Sequence, residues 1–487
     1  MTANPMSLYK TEVCRSAAVT PSTSASAYWR NRPRPPAPEP LERMPGPLTF
    51  LRILQNGPIE GFTRTHFERP VVISKTILGS IAYVSTPAAL RRILIENASN
   101  YHRATLQRGI FAASLGNGLL TAEDHQWRLQ RRIIGPIFTP KMVAEFAQAM
   151  AEGARSLVDR WATYPDKSRI DIASELPRAT VHILERTLFR DGLGPDRDKL
   201  HGALIHVLDT AGRLNLLDAF DAPRWLPRIG QLRARRSLKL FALTAEAIIA
   251  ARCKCLSTTP DSVPNDLLTL LLQSRDPQTG AGLSTSEVKA NIVTFIAVGS
   301  ETAASALTWA LFLLSLDPEW RERIEAEADR EMPDGHYIDA SLDRLVVTRA
   351  VIEESMRLYP PVPVTTRQAI GPDQLLGEEI APGTMIIIAP WLINRHRLLW
   401  EEPDAFDPSR FLPGARERID RFSYLPFGAG PRACIGGAFA MQEMTIILAT
   451  IVRRFRLDVV PDHRTWPINH VTLRPRGGLP MVLHRRN

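Results

Sequence analysis

Cysteine is scarce in this chain. Four residues, at positions 14, 253, 255 and 434, are too few to staple 487 residues, which excludes a disulfide scaffold. Cys253 and Cys255 lie in the basic run Ala251-Arg252-Cys253-Lys254-Cys255, with no second pair and no nearby histidine, so the spacing of a zinc site is missing too. Thiols that stay reduced predict a cytoplasmic protein. The chain also lacks an N-terminal apolar run of secretory or membrane-spanning length. Its first 44 residues carry Ser, Thr and Ala, then a Pro- and Arg-rich stretch from Asn31 to Pro47. Such a composition buries little. A flexible extension, 1–44, is expected ahead of one folded domain, 45–487. Internal repeats are missing, and the net charge of +9 comes without aromatic–basic interleaving or a DNA-binding motif, so nucleic acid is not an expected partner.

What the chain does have is a loop, Phe427-Gly428-Ala429-Gly430-Pro431-Arg432-Ala433-Cys434-Ile435-Gly436, followed at once by an apolar helix pattern from Ala438 to Val452. A single cysteine among glycines, just ahead of a helix N-terminus, suits a thiolate, because backbone N–H groups and the helix dipole both favour negative charge. Gly430 and Gly436 are expected to allow the tight backbone path. Phe427 is placed to shield the sulfur, and Arg432 to pair with a carboxylate of a bound group. A haem iron held by Cys434 requires this arrangement.

Other segments bear on the same chemistry. Residues 287–317 read as one long helix, apolar from Ile292 to Leu316, with Gly299-Ser300-Glu301-Thr302 at its middle. Phe295, Val298, Gly299 and Thr302 fall on one face at i, i+3, i+4, i+7. Glu301 at the centre, with no positive cluster at either end, argues for a buried core helix and against a membrane span. A glycine beside a threonine in mid-helix predicts a local widening or kink. Glu354 and Arg357 lie three apart and share a helical face, which Pro360-Pro361 then ends. Trp127 and Arg131 lie four apart on another. Pro70 to Ser85 predicts a hairpin turning at Gly79, Thr86-Pro87 a helix start, and Val362–Ala369 and Thr384–Ala389 strands. Amphipathic helices dominate from Gln126 to Leu316.

These motifs, in this order over residues 45–487, resemble the cytochrome P-450 family of haem-thiolate monooxygenases in a soluble, bacterial-type form. The resemblance implies a mainly α fold with a small β-rich portion, the triangular α/β haem-thiolate architecture. It implies haem b (iron protoporphyrin IX) with Cys434 as metal ligand. Trp127, Arg131, Arg367, Phe427, Arg432 and Gly436 would be further cofactor contacts, and Glu354, Arg357 and Arg410 (in Phe406-Asp407-Pro408-Ser409-Arg410-Phe411) a buried structural network. Thr302 and Glu301 would be the catalytic acid–alcohol pair. Val298 stands where the family has a smaller residue, which changes the pocket above the iron. Phe295, Val298, Gly299, Val362, Val364 and Phe111 would line a pocket for a hydrophobic small molecule, and Leu204–Leu232 a lid over it. The terminal run from Val471 to Pro480 resembles the family's hairpin.

The expected reaction puts one atom of dioxygen into the substrate. With only 53 residues after Cys434 in this sequence, no fused reductase is expected. A separate electron donor, a ferredoxin or flavodoxin with its reductase, would dock on a basic surface. Peroxide-consuming or rearranging relatives and a gas-sensing haem protein are the alternatives. The acid–alcohol pair speaks for the monooxygenase.

Overall fold

The computed structural model describes residues 28–76, 79–104, 116–189, 203, 229–333, 339–469 and 472–486. Phe111, Val471 and most of the expected lid, 204–228, lie outside them. The helices that place the site are α1 (Pro87–Arg91), α2 (Asp124–Ile134), α3 (Ala147–Ala162), α4 (Ile172–Leu188), α5 (Ile229–Thr258), α6 (Thr285–Leu316), α7 (Pro318–Glu331), α8 (Val346–Leu358) and α9 (Gly437–Arg454).

The long apolar segment is α6. Ser284 caps it: its hydroxyl accepts from the Glu287 N–H, and the Glu287 carboxylate accepts from the Ser284 N–H. This capping box fixes the start of the helix. From Ala303 to Leu314 every side chain is buried. It is the one described helix long and apolar enough to cross a membrane, but 83% of its apolar window is buried inside the protein. It packs against α4, α5, α8 and α9 as the central core helix. Trp309 stacks on Tyr359 at 3.9 Å, a fully buried aromatic pair that ties α6 to the end of α8.

The β-rich part is small. Strands β1 (Val71–Thr76) and β2 (Gly79–Val84) form the expected hairpin, with Gly79 at φ 96°. With β3 (Tyr101–His102), β5 (Thr365–Ala369) and β8 (Met385–Ile388) they make a sheet in the order β1-β2-β8-β5-β3. Only β2 and β8 run parallel. Strand β4 (Ser168–Asp171) pairs with β12 (Pro480–Arg485), which pairs in turn with β9 (Phe455–Val459). Two small hairpins, β6 (Asp373–Leu375) with β7 (Glu378–Ile380) and β10 (Pro467–Asn469) with β11 (Leu473–Pro475), complete it.

The packed chain begins well before residue 45. From Tyr28 onward a strap lies on the body of the protein. The Tyr28 hydroxyl donates to Asp407 (2.9 Å), and the Arg410 guanidinium sits 4.6 Å over the Trp29 ring. The Phe406 N–H donates to the Pro33 carbonyl (2.9 Å), and the Tyr359 hydroxyl to that of Pro36 (2.7 Å). Prolines lack an N–H but keep a carbonyl acceptor, so the prolines dock by accepting, while Arg32 and Arg34 pair with Asp317, Glu319 and Glu402. Composition alone therefore placed the flexible boundary too late.

Candidate haem site

The loop Phe427–Gly436 leads directly into α9. Its bend is held by backbone bonds, Cys434 N–H to Phe427 carbonyl (2.8 Å) and Ala433 N–H to Gly430 carbonyl (3.0 Å). Gly428 and Gly430 take the left-handed conformation, φ 69° and 77°. Gly430 is also pressed on the π-turn that follows α1, where an added Cβ would lie 2.0 Å from the Leu94 carbonyl oxygen. Gly436 does not share this duty. Its φ is −88°, open to any residue, and an added Cβ would meet nothing within 4 Å. What Gly436 supplies is an N–H bonded to the Cys434 sulfur. The Phe427 ring covers Gly437, where a Cβ would lie 3.3 Å from it.

Gly430→Ala combines a backbone strain of about 1–3 kcal/mol with this clash. The expected result is a loop that no longer seats on the π-turn after α1, seen as a lower denaturation midpoint and lower haem content. A variant of wild-type stability would show that the Leu94 contact yields.

The Cys434 side chain keeps accessible surface. Burial pushes its thiol up, while the Gly436 N–H and the charge of Arg131 pull it down. Above the loop stand more guanidinium groups. Burial and mutual repulsion lower Arg367, on β5, and Arg432 to about 10, and burial also lowers Arg103 and Arg131. Arg432 lies 4.0 Å over the Trp127 ring of α2 and donates to Glu123 (2.6 Å) and to the Ala122 carbonyl (2.9 Å). Glu123 and Asp124 are the acids that act on this cluster. Among the described residues, Arg103, Arg367 and Arg432 share Glu123, with Asp124 acting on Arg432, an excess of positive charge in a desolvated place. Arg103 was missed in the sequence. It follows β3 directly, and the only cue was its closeness in sequence to the end of a sheet strand.

On α6 the face named from spacing is present. Phe295, Val298, Gly299 and Thr302 keep partial exposure, while Ile296, Ala297, Ser300, Glu301 and Ala303 between them are buried. Phe295 meets Phe138 edge-on at 5.3 Å. Val364 is half-buried against the core, and Val362 is 40% exposed. An added Cβ at Gly299 would lie 3.3 Å from the Leu184 side chain, so this glycine also lets α4 approach closely. One expectation needs correction: the widening is absent, because α6 is α-helical throughout. The Thr302 hydroxyl donates back to the Val298 carbonyl (2.9 Å), and the Thr180 hydroxyl reaches from α4 to the Ser300 carbonyl (2.9 Å). Such side-chain bonds compete with the helix's own backbone ladder at this turn. The Glu301 carboxylate turns to the β10–β11 hairpin, where the Thr472 hydroxyl donates to its Oε1 and Arg474 forms an ion pair with it (Nε at 2.9 Å).

Glu354 and Arg357 lie at the end of α8 and are fully buried. Arg357 donates to both Glu354 oxygens (2.6 and 2.7 Å) and to the carbonyls of Asn394, Pro403 and Ala405. Glu354 also accepts from the Asp407 N–H at 2.8 Å, and Arg410 approaches to 3.7 Å. Burial and the Arg357 charge lower Arg410.

Comparison with known proteins decides the family. The sequence profile of Cytochrome P-450 matches residues 38–480. This chain is a member of the cytochrome P-450 family. It is 31% identical to a cyclooctat-9-en-7-ol 5-monooxygenase of Streptomyces melanosporofaciens, over 84% of this chain and 86% of that one. It is 30% identical to a pentalenene oxygenase of Streptomyces avermitilis, over 80% and 85%. The crystal structure of a cytochrome P-450, CYP102L1, superposes with a TM-score of 0.79 at 26% identity, over 93% of this chain and 100% of that one.

The chain is thus a cytochrome P-450 monooxygenase, a family whose cofactor is haem ligated by a cysteine thiolate. Its residues fit that cofactor. The sulfur is accessible, Gly436 two residues on has open space over it, and the mutually repelling cations Arg103, Arg367 and Arg432 suit an anionic edge.

Proposed function

We propose that this cytochrome P-450 binds haem b through Cys434 and oxygenates a hydrophobic small molecule, with a cyclic terpenoid as the substrate class. The supporting observation is the Cys434 thiol, accessible, bonded by the Gly436 N–H and under the charge of Arg131. In this reading Trp127, Arg131, Arg367, Arg432 and Arg103 hold the cofactor's carboxylates, and Phe427 and Gly436 shape the sulfur's surroundings. Bound haem would supply dioxygen activation, with the thiolate favouring O–O cleavage. The chain's own side chains do the rest. Phe295, Val298 and Val364 offer an apolar wall that excludes water and orients a hydrocarbon skeleton. Val298, being β-branched, narrows the space beside Thr302.

The Thr302 hydroxyl has one proton and two lone pairs. Its resting bond to the Val298 carbonyl is replaceable by a bond into the pocket. Glu301, the next residue, passes protons to it. Electrons come from a separate ferredoxin or flavodoxin system in the cytoplasm. The terpenoid class rests on the relatives, a pentalenene oxygenase and a cyclooctat-9-en-7-ol monooxygenase, together with this apolar wall.

The test is a panel of cyclic terpenes, fatty acids and steroids scored by substrate-induced spectral shift and then by product. In Thr302→Ala, product per reductant consumed is expected to fall at least about 10-fold, with peroxide in its place, since a positioned proton donor contributes roughly 10²–10⁴-fold. Unchanged coupling would remove Thr302 from the mechanism. Shifts with fatty acids alone would reject the terpenoid class.

A further inference from the structure

The central helix is bolted to the C-terminal hairpin along one stripe. Glu301, Ser305 and Trp309 are spaced i, i+4, i+8 on α6, so they share a face. The Ser305 hydroxyl and the Trp309 indole N–H both donate to the Leu473 carbonyl, at 2.6 and 3.0 Å. The Leu473 N–H donates to the Pro361 carbonyl (3.0 Å), next to Val362 and Val364. Glu301 is the last bolt, and its two oxygens are used unequally. Oε1 accepts from the Thr472 hydroxyl and is ion-paired with Arg474, Nε at 2.9 Å. Among the described residues nothing donates to Oε2, and the side chain keeps 11% of its surface accessible.

We propose that Arg474 and Thr472 are positioning residues for Glu301. They pin Oε1, so that Oε2 alone carries protons between solvent and the Thr302 side of α6, with the carboxylate fixed in place. This inference rests on the reading of Glu301 and Thr302 as the proton-handling pair. A carboxylate held through one oxygen exchanges protons through the other without a rotamer change. The same hairpin forms the neighbourhood of the apolar wall, so the wall and the proton path are registered to each other by one piece of backbone. Thr472 is 2% exposed, which keeps its hydroxyl from trading Glu301 for water.

The test uses the reconstituted holoenzyme in four forms, Arg474→Gln, Arg474→Lys, Glu301→Gln and the double variant Arg474→Gln/Glu301→Gln. Peroxide released per reductant is measured with substrate bound. Substrate affinity is measured by spectral titration. The infrared carboxylate bands of the resting protein are assigned by difference against Glu301→Gln. Arg474→Gln is expected to lower coupling about tenfold, the scale of one charged hydrogen bond, with substrate affinity within about twofold, and Arg474→Lys to restore most of it. In the Glu301→Gln background the Arg474 change is expected to add nothing. The wide band splitting of a one-oxygen-bonded carboxylate should narrow in Arg474→Gln. Two independent, multiplying losses would overturn the proposal, as would weaker substrate binding with coupling and bands intact. If Glu301→Gln couples like the wild type, the underlying reading fails. If Glu301→Gln uncouples while Arg474→Gln does not, only the role of Arg474 fails.

Discussion

Replacing Cys434 by serine is expected to remove the thiolate-type Soret band of the reduced, carbon monoxide-treated protein and to bring product formation below detection. Both effects follow from one atom. An alcohol is a far weaker acid than a thiol and does not ionise near neutrality, so the iron loses its anionic ligand. The fold should survive. The loop is held by the bond from the Cys434 N–H to the Phe427 carbonyl and by the Gly430 contact with Leu94, none of which involves the sulfur. Serine is also smaller, the side chain is accessible, and a serine oxygen can accept the Gly436 N–H that the sulfur accepts. The denaturation midpoint of the protein stripped of haem should therefore move by no more than about 0.5 kcal/mol, as for a substitution outside packed features. An unchanged absorption spectrum in the serine variant would end the assignment of Cys434.

Glu354→Ala and Arg357→Ala are expected to do the opposite and destroy the fold before any question of activity arises. Arg357 has five N–H donors, and all are engaged, three with carbonyls and two with Glu354. Both side chains are fully buried. Removing one partner leaves the other as an uncompensated buried charge, a loss of about 3–5 kcal/mol. That is a large share of the roughly 5–15 kcal/mol by which a domain is stable. Arg357→Lys should rescue little, because an ammonium cannot reproduce the planar fork that reaches Glu354 and three carbonyls at once. Soluble yield, denaturant midpoint and haem per protein are the measurements. A soluble, haem-replete Glu354→Ala protein would show that the network is dispensable.

Features carried by residues close in sequence were legible from the chain alone. The Cys434 loop, the Glu354–Arg357 pair, the β1–β2 hairpin and the stripe from Phe295 to Thr302 all depend on local spacing, and the structure shows each of them. Features that depend on partners far along the chain were not. Arg432 finds Glu123 across 309 positions, and Glu301 finds Thr472 across 171. No period or motif links such residues. Arg103 joins the cationic cluster only because β3 pairs with β5, the strand that carries Arg367. Sequence spacing showed which face Gly299 occupies, but not that α4 leans on it. Thr302 read as a site of widening because its hydroxyl's partner is decided by a rotamer. The strap from Tyr28 was hidden by composition, since a Pro-rich run announces poor donors and says nothing about what accepts.

That strap sets an order of assembly. Tyr28 and its partner Asp407 are 379 positions apart. A ribosome adding about 5–20 residues per second delivers the second roughly 20–75 s after the first. Through that interval Trp29, Pro33 and Pro36 have emerged while the groups that receive them are still unmade. The earliest described residues of the polypeptide are thus among the last to be sewn down, and the Arg410–Trp29 contact marks the moment when the folded body closes behind them.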